Sequence, residues 1–251
     1  MFPNWISFFF DLRGPSTAYN TACSTGLVCL EAAERHLRMG VIDNAVVGGC
    51  NFTYRPSTSR LFMSMNFLGS TGCRAFDVSG RSSSSSSNNN SSSSGSSSTV
   101  VVVVVVVVVV DHNFFTNVSL HLITFTFSRL CSVGDGFVRA EVASVILLKK
   151  AATAKRMYGT LVGSMLNNDG FQTNGILYPN SLAQEQLMAD IYPSLKVDPK
   201  DLKFFECHGT GTQAGDPNET RAICNAVCKH RKEPLLIGSV KTNLGHGETA
   251  S

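Results

Sequence analysis

Three short stretches of this 251-residue chain pair a reactive side chain with small residues that let the backbone approach a ligand. In Thr21-Ala22-Cys23-Ser24-Thr25-Gly26 a strand-like lead-in meets the start of a helix, with Cys23 at the junction. Backbone N–H groups at a helix N-terminus favour a thiolate and can donate to a developing oxyanion, so Cys23 suits an acyl-accepting nucleophile. In Phe204-Phe205-Glu206-Cys207-His208-Gly209-Thr210-Gly211-Thr212 an apolar strand delivers His208 into a loop of glycines and threonines. Glycines allow close backbone approach, and the Thr210 and Thr212 hydroxyls could bond an amide-rich substrate arm. In Gly238 to Glu248 a strand ends in a loop holding His246, with Lys241 five residues before it. A buried lysine there could tune or orient the histidine. Each stretch also has a plainer reading: a structural thiol, a loop histidine among turn residues, a surface lysine beside a satisfied histidine. His36 and His230 lie among charges and read as exposed; His112 and His121 fall in an anomalous middle.

The elements that must position these groups alternate. Ala45–Val47, Val142–Leu148, Thr160–Met165 and Leu235–Val240 read as buried strands. Leu27, Leu30, Ala33 and Leu37 follow a 3-3-4 helical spacing that Gly40 stops. Ser181-Leu182-Ala183-Gln184 reads as a capping box opening a helix to about Tyr192, and Asp216-Pro217-Asn218-Glu219 as a second, opening a helix through Cys228. Alternating strands and helices imply an α/β layered fold.

A net charge of +3 gives no argument for a nucleic-acid or membrane partner. None of the eight cysteines forms a C-x-x-C pair, and no Cys/His cluster has zinc spacing. They read as small buried residues of a reducing compartment, and Trp5 to Phe10 is too short and lacks the basic start of a signal peptide. The expected location is cytoplasmic.

Residues 81–134 break the pattern. Ser82 to Ser98 is nearly all Ser, Asn and Gly, and Val100 to Val110 is unbroken valine. Eleven valines fall short of the ~20 residues of a spanning helix, and Asp111 follows at once. The serine tract has the composition of a disordered linker; polyvaline does not. A trinucleotide repeat that reads as serine in one frame reads as valine in another, so a retained intron is the favoured origin. The expected organisation is therefore 1–80 with the nucleophile, an insert at 81–134, and 135–251 with both histidines.

Together the three motifs resemble the signature of the β-ketoacyl synthases, the condensing domains of animal-type fatty acid synthases and polyketide synthases. Asn4 to Asp11, Gly14-Pro15-Ser16, Val47 to Asn51 and Pro234 to Ser239 extend the likeness across 1–80 and 135–251. Val145 to Gly159 looks closer to animal fatty acid synthase. The resemblance implies a thiolase-like αβαβα fold, partial here, and a homodimer in the intact enzyme. It implies that Cys23 takes an acyl chain from acyl carrier protein. His208 and His246 would stabilise the enolate of a decarboxylating malonyl thioester, supported by Lys241. Thr210 and Thr212 match positions that contact the phosphopantetheine arm, and no metal or cofactor is bound by the domain itself. A thiolase would show a second cysteine where His246 stands, and a chalcone-type synthase an asparagine. The family usually has serine at 25 and 26 and alanine at 207, where this chain has Thr25, Gly26 and Cys207. The family domain extends beyond both ends, so the chain alone is expected to expose unpaired edges and not to fold stably. A non-catalytic fragment that binds carrier protein is the alternative from another class.

Overall fold

The computed structural model describes residues 2–69, 73–76 and 136–251, and the backbone of 102–110. The remainder of 81–134, with His112 and His121, lies outside the described residues.

Helix α1 (Phe2–Phe9) buries none of its residues. An irregular stretch leads to α2 (Thr25–Arg38), and β1 (Asn44–Asn51) and α3 (Pro56–Ser64) follow. Strands β2 (Val102–Val110), β3 (Val142–Lys150) and β4 (Gly159–Thr160) complete a four-stranded sheet of order β1-β3-β2-β4. β1 runs antiparallel to β3, from Asn44 opposite Lys149 to Asn51 opposite Val142. β2 is parallel to both β3 and β4. The chain continues through α4 (Ser181–Ser194), β5 (Phe204–Glu206), α5 (Gly215–Ile223), β6 (Leu236–Gly238) and α6 (Lys241–Leu244). β5 and β6 form a separate parallel pair, and a π-helical turn, Cys224–Cys228, extends α5.

Two apolar clusters hold these layers. In the first, Leu37 of α2 meets Val47 of β1 and Leu148 of β3, with Leu30 and Ala33 packed against them. Leu27 is 60% exposed instead. At 100° per residue it points about 120° away from Ala33, off the buried stripe. Gly40, at φ +72°, ends α2, and Val41 N–H bonds His36 O at 3.0 Å as in a Schellman turn. In the second cluster Ile223 and Val227 pack on Cys207, with Phe205 and Ile237 from β5 and β6 beside them.

Three local expectations are corrected. The strand expected over Thr160–Met165 pairs, among the described residues, only through Gly159 and Thr160, opposite Val108 and Val109, and the chain beyond Thr160 leaves the ladder. The cap of α4 is Asn180, not Ser181: the Asn180 Oδ1 accepts from Leu182 N at 3.0 Å and Ala183 N at 3.4 Å. Gln184 is thus too far along to close a capping box. Asp216 is not the cap of α5 either. That position is Ala214, and Thr212 Oγ1 takes the Gly215 N–H at 3.1 Å.

Candidate functional site

Cys23 sits in a single 3₁₀ turn, Ala22–Ser24, directly ahead of α2. The expected strand-like lead-in is irregular and largely exposed. Ala22 has φ +54°, a left-handed conformation costing a non-glycine residue about 1–2 kcal/mol. Side chains hold the turn in place. Thr25 Oγ1 donates to Ala22 O at 2.7 Å and accepts from Thr21 N at 2.9 Å, while Ser24 Oγ donates to Thr21 O at 2.8 Å. Thr25 thus supplies a hydroxyl, as the serine usual there would.

The loop after β5 carries His208. Gly209 and Gly211 take φ +45° and +75°, and a Cβ on Gly211 would lie 2.8 Å from Arg74 N. Two carboxylates of α5 anchor this loop. Glu219 accepts from His208 N at 2.6 Å and from Gly209 N at 2.9 Å. Asp216 accepts from Gly211 N at 3.1 Å and from Phe76 N at 2.8 Å. The pattern Asp-Pro-Asn-Glu suggested helix capping; the acids instead face back and fix the histidine loop. Thr210 is buried, and its Oγ1 lies 3.1 Å from that of Thr212. Both threonines are thus tied into the loop that surrounds His208.

His246 follows α6 through Gly245, at φ +81°, and is fully buried. Its backbone is laced to the strand-like segment after Gly136: His246 N donates to Val138 O at 2.7 Å and Ala140 N donates to His246 O at 2.8 Å. The Phe137 ring packs edge-on at 4.8 Å. Nδ1 lies 3.2 Å from Glu248 N and 2.7 Å from Ser251 Oγ. A backbone N–H can only donate, so Nδ1 accepts and the proton resides on Nε2. That Nε2–H points at Cys23 Sγ, 3.0 Å away. The His208 ring stands 5.5 Å from that of His246. One ligating atom each from Cys23, His208 and His246 lies within 4.8 Å of the others. By composition the trio could hold a soft divalent metal, but a protonated Nε2 is a donor rather than a ligand.

Electrostatics keep both rings neutral. Burial, then the cost of charging this ring beside His208 and the Lys241 cation, pushes His246 down to about 3. Burial and Lys241 push His208 down to about 4. His208 keeps an exposed face, so desolvation of its ring is the less complete of the two. Lys241, itself buried, thus bears on both histidines. The expectation of a favoured thiolate is corrected: burial and the Glu248 carboxylate raise the Cys23 thiol above its ordinary value, against smaller pulls from Lys241 and the backbone. The helix start is outweighed because the sulfur is desolvated and faces an acid. Asp216 and Glu219 are also raised, mainly by burial.

The backbone of 249–251 wedges between the elements of the site. A Cβ on Gly26 would lie 2.8 Å from Ser251 O, and one on Gly49 would lie 2.5 Å from Thr249 O. An open groove of about 330 Å³ lies elsewhere, along the C-terminal half of α2 between Glu34, Arg38 and Ser164. There the Glu34 carboxylate is already taken by Arg38 and Ser164.

In this α/β chain a cysteine and two neutral histidines thus converge from three separate loops. Sequence models of the β-ketoacyl synthase N-terminal and C-terminal domains match residues 1–102 and 158–251. The chain belongs to the β-ketoacyl synthase family, and its fold is the thiolase-like α/β fold of ketosynthase domains. It is 35% identical over 252 residues to fatty acid synthase of Anser anser anser, covering all of this chain and 56% of that protein. It is 35% identical over 255 residues to the highly reducing polyketide synthase sor1 of Hypocrea jecorina, covering all of this chain and 8% of that one. Among solved structures, the Streptomyces albus JA3453 oxazolomycin ketosynthase domain OzmH KS7 matches at TM-score 0.73 and 29% identity, over 99% of this chain and 34% of that chain. The module 6 ketosynthase of the bacillaene synthase from Bacillus subtilis 168 matches at TM-score 0.74 and 28% identity, over 99% and 35%. The chain thus spans little more than half, and often far less, of the relatives it matches. Among the described residues no helix is long and apolar enough to cross a membrane.

Proposed function

We propose that this chain carries the condensing centre of a β-ketoacyl synthase of the fatty acid synthase type, acting in the cytoplasm on thioesters borne by the phosphopantetheine of acyl carrier protein. The observation that carries the reading is the convergence of Cys23, His208 and His246 with an Nε2–H aimed at the sulfur. Cys23 attacks an acyl thioester: its Sγ–acyl bond forms, the carrier's C–S bond breaks, and the thiol proton leaves with the carrier sulfur. Malonyl thioester then places its carbonyl oxygen where His246 Nε2–H and His208 can donate to it. The bond to the malonyl carboxylate breaks, CO2 leaves, and the electron pair becomes an enolate held by those donors. The enolate carbon bonds the acyl carbon, the Cys23 thioester breaks, and the released thiolate takes a proton. Neutral histidines suit this role, since each must donate without first losing a charge. Burial, with Lys241 adding to it, holds them neutral, and Lys241 favours the transient thiolate. Thr210 and Thr212 line the approach of the phosphopantetheine arm.

A polyketide synthase condensing domain is the second reading, favoured by matches of 34–35% identity to such synthases. The homodimer is carried over from the family. The insertion of 81–134 is supported by its flanks, which pair across it: Gly69 N donates to Phe137 O at 3.0 Å and Phe137 N to Phe67 O at 2.9 Å. Transcript sequence running from Gly80 to Asp135 would support a retained intron; peptides covering the valines would end that idea. The function itself is tested by incubating the full chain with an acyl thioester and then malonyl thioester. An acyl adduct on the Cys23 peptide, lost in Cys23→Ala, and CO2 release, lost in His246→Ala, are expected. A chain that only retains carrier protein on a column, without adduct or CO2, would sink the enzymatic reading and leave the non-catalytic one.

A further inference from the structure

Two residues outside the converging trio control how His246 is presented. Glu248 has φ +48°, an unfavourable conformation for a glutamate, and its N–H donates to His246 Nδ1 at 3.2 Å. Its carboxylate is ion-paired with Arg139 Nε, and both side chains are nearly buried. Arg139 is itself held on three sides. Its Nη1 donates to Ser59 Oγ at 2.8 Å, its guanidinium lies 5.3 Å over the Phe62 ring, and the residues flanking it bond both the N–H and the C=O of His246. The result is a closed circuit: His246 backbone to the Arg139 strand, Arg139 to Glu248, Glu248 N–H back to the His246 ring.

We infer that Arg139 is a positioning residue that, through Glu248, fixes His246 as an Nε2–H donor aimed at Cys23. The inference rests on the condensing reading only in taking Nε2–H as the working form. Without the ion pair the strained Glu248 backbone loses its side-chain anchor, and a peptide free to relax withdraws its N–H. Nδ1 then competes with Nε2 for the proton. Glu248 also has an electrostatic effect. It is the acid that raises the Cys23 thiol, while Lys241 lowers it, and His208 and His246 are the other titratable groups facing that sulfur.

The test compares Arg139→Met, Glu248→Met and the double variant in the full chain. Replacing both partners of a buried ion pair with apolar side chains is commonly tolerated, so the double variant retains the fold where a single one does not. ¹⁵N chemical shifts report the His246 tautomer, and iodoacetamide alkylation of the Cys23 peptide near neutral pH reports the thiol. The wild type is expected to be Nε2–H, with Nδ1–H appearing in all three variants and Arg139→Lys restoring the wild-type pattern. Burial raises the Cys23 thiol most and the Glu248 carboxylate adds to it, so alkylation of Cys23 should slow severalfold in Arg139→Met, which leaves that carboxylate uncompensated, and quicken severalfold in Glu248→Met, which removes it. General loosening would move both the same way. Retention of Nε2–H in the folded double variant, or alkylation shifting in one direction for both single variants, overturns the inference. Absence of CO2 release by the wild type, with the tautomer shift present in the variants, would count against the condensing reading alone. CO2 release with an unmoved tautomer would count against this inference alone.

Discussion

Keeping His246 neutral inside the fold makes stability fall as the solution is acidified, and the size of the effect follows from its environment. Unfolded, the imidazole titrates near its ordinary value of 6.5; folded, it is held down to about 3. The unfolded chain therefore binds a proton that the folded chain refuses. Stability is full above about pH 6.5 and is lost as pH falls toward the folded value. Between pH 7 and pH 5 the loss attributable to His246 is about 2 kcal/mol, close to the limiting slope of 1.36 kcal/mol per pH unit over the lower part of that range. Asp216 and Glu219, whose carboxyls are raised, act in the opposite sense, gaining stability as they protonate. His208 adds to the loss by a smaller, solvent-screened amount. These contributions are shared by a His246→Gln variant, so the comparison isolates one ring. Urea unfolding at pH 7 and pH 5 should show the wild type losing about 2 kcal/mol more than His246→Gln. Parallel losses, within about 0.5 kcal/mol, would refute the claim that burial and the neighbouring Lys241 hold this ring neutral.

Glu219→Ala leaves the His208 and Gly209 N–H groups without their acceptor; at about 1.5–3 kcal/mol per bond to a charged group, a loss of roughly 3 kcal/mol in urea unfolding is expected, with Glu219→Gln losing about half. Gly211→Ala combines φ +75° with a Cβ 2.8 Å from Arg74 N, and should cost at least about 1–2 kcal/mol by the same measurement. An unchanged midpoint would mean that the loop relaxes freely. Leu148→Ala empties a fully buried position between α2 and β1 and should cost about 2–5 kcal/mol; a smaller loss would show that the first cluster collapses into the space.

Much of the fold is legible in the residues wherever one local signal dominates. The stripe Leu30-Ala33-Leu37 and the stop at Gly40 fix α2, and the apolar run from Val142 fixes β3. The signal weakens where a side chain has two uses. Asp216 and Glu219 have the spacing of a capping box, yet their carboxylates serve a loop several residues upstream, a choice that only the return of α5 past β5 decides. Ser181 and Asn180 are both good caps, and the extended backbone of Asn180 settles between them. Cys23, His208 and His246 stand out as motifs, but no spacing rule brings residues 223 positions apart to 3.0 Å. The tautomer of His246 and the part played by Arg139 leave no trace in the residue pattern, because they depend on a backbone N–H meeting a ring nitrogen and on an ion pair between residues 109 positions apart.

The close seating of 249–250 against Gly26 and Gly49 has a consequence for how the gap between nucleophile and histidine is gauged. Between α2, which begins beside Cys23, and β1 lies bare main chain on bare main chain. The spacer is therefore the thickness of a polypeptide, which does not vary with rotamer or with side-chain volume. The Thr249 hydroxyl pins this spacer to Cys50 O of β1 at 2.7 Å, and a single methyl at position 26 or 49 acts like a shim slipped into a jig, moving the Cys23 turn and the His246 loop apart together.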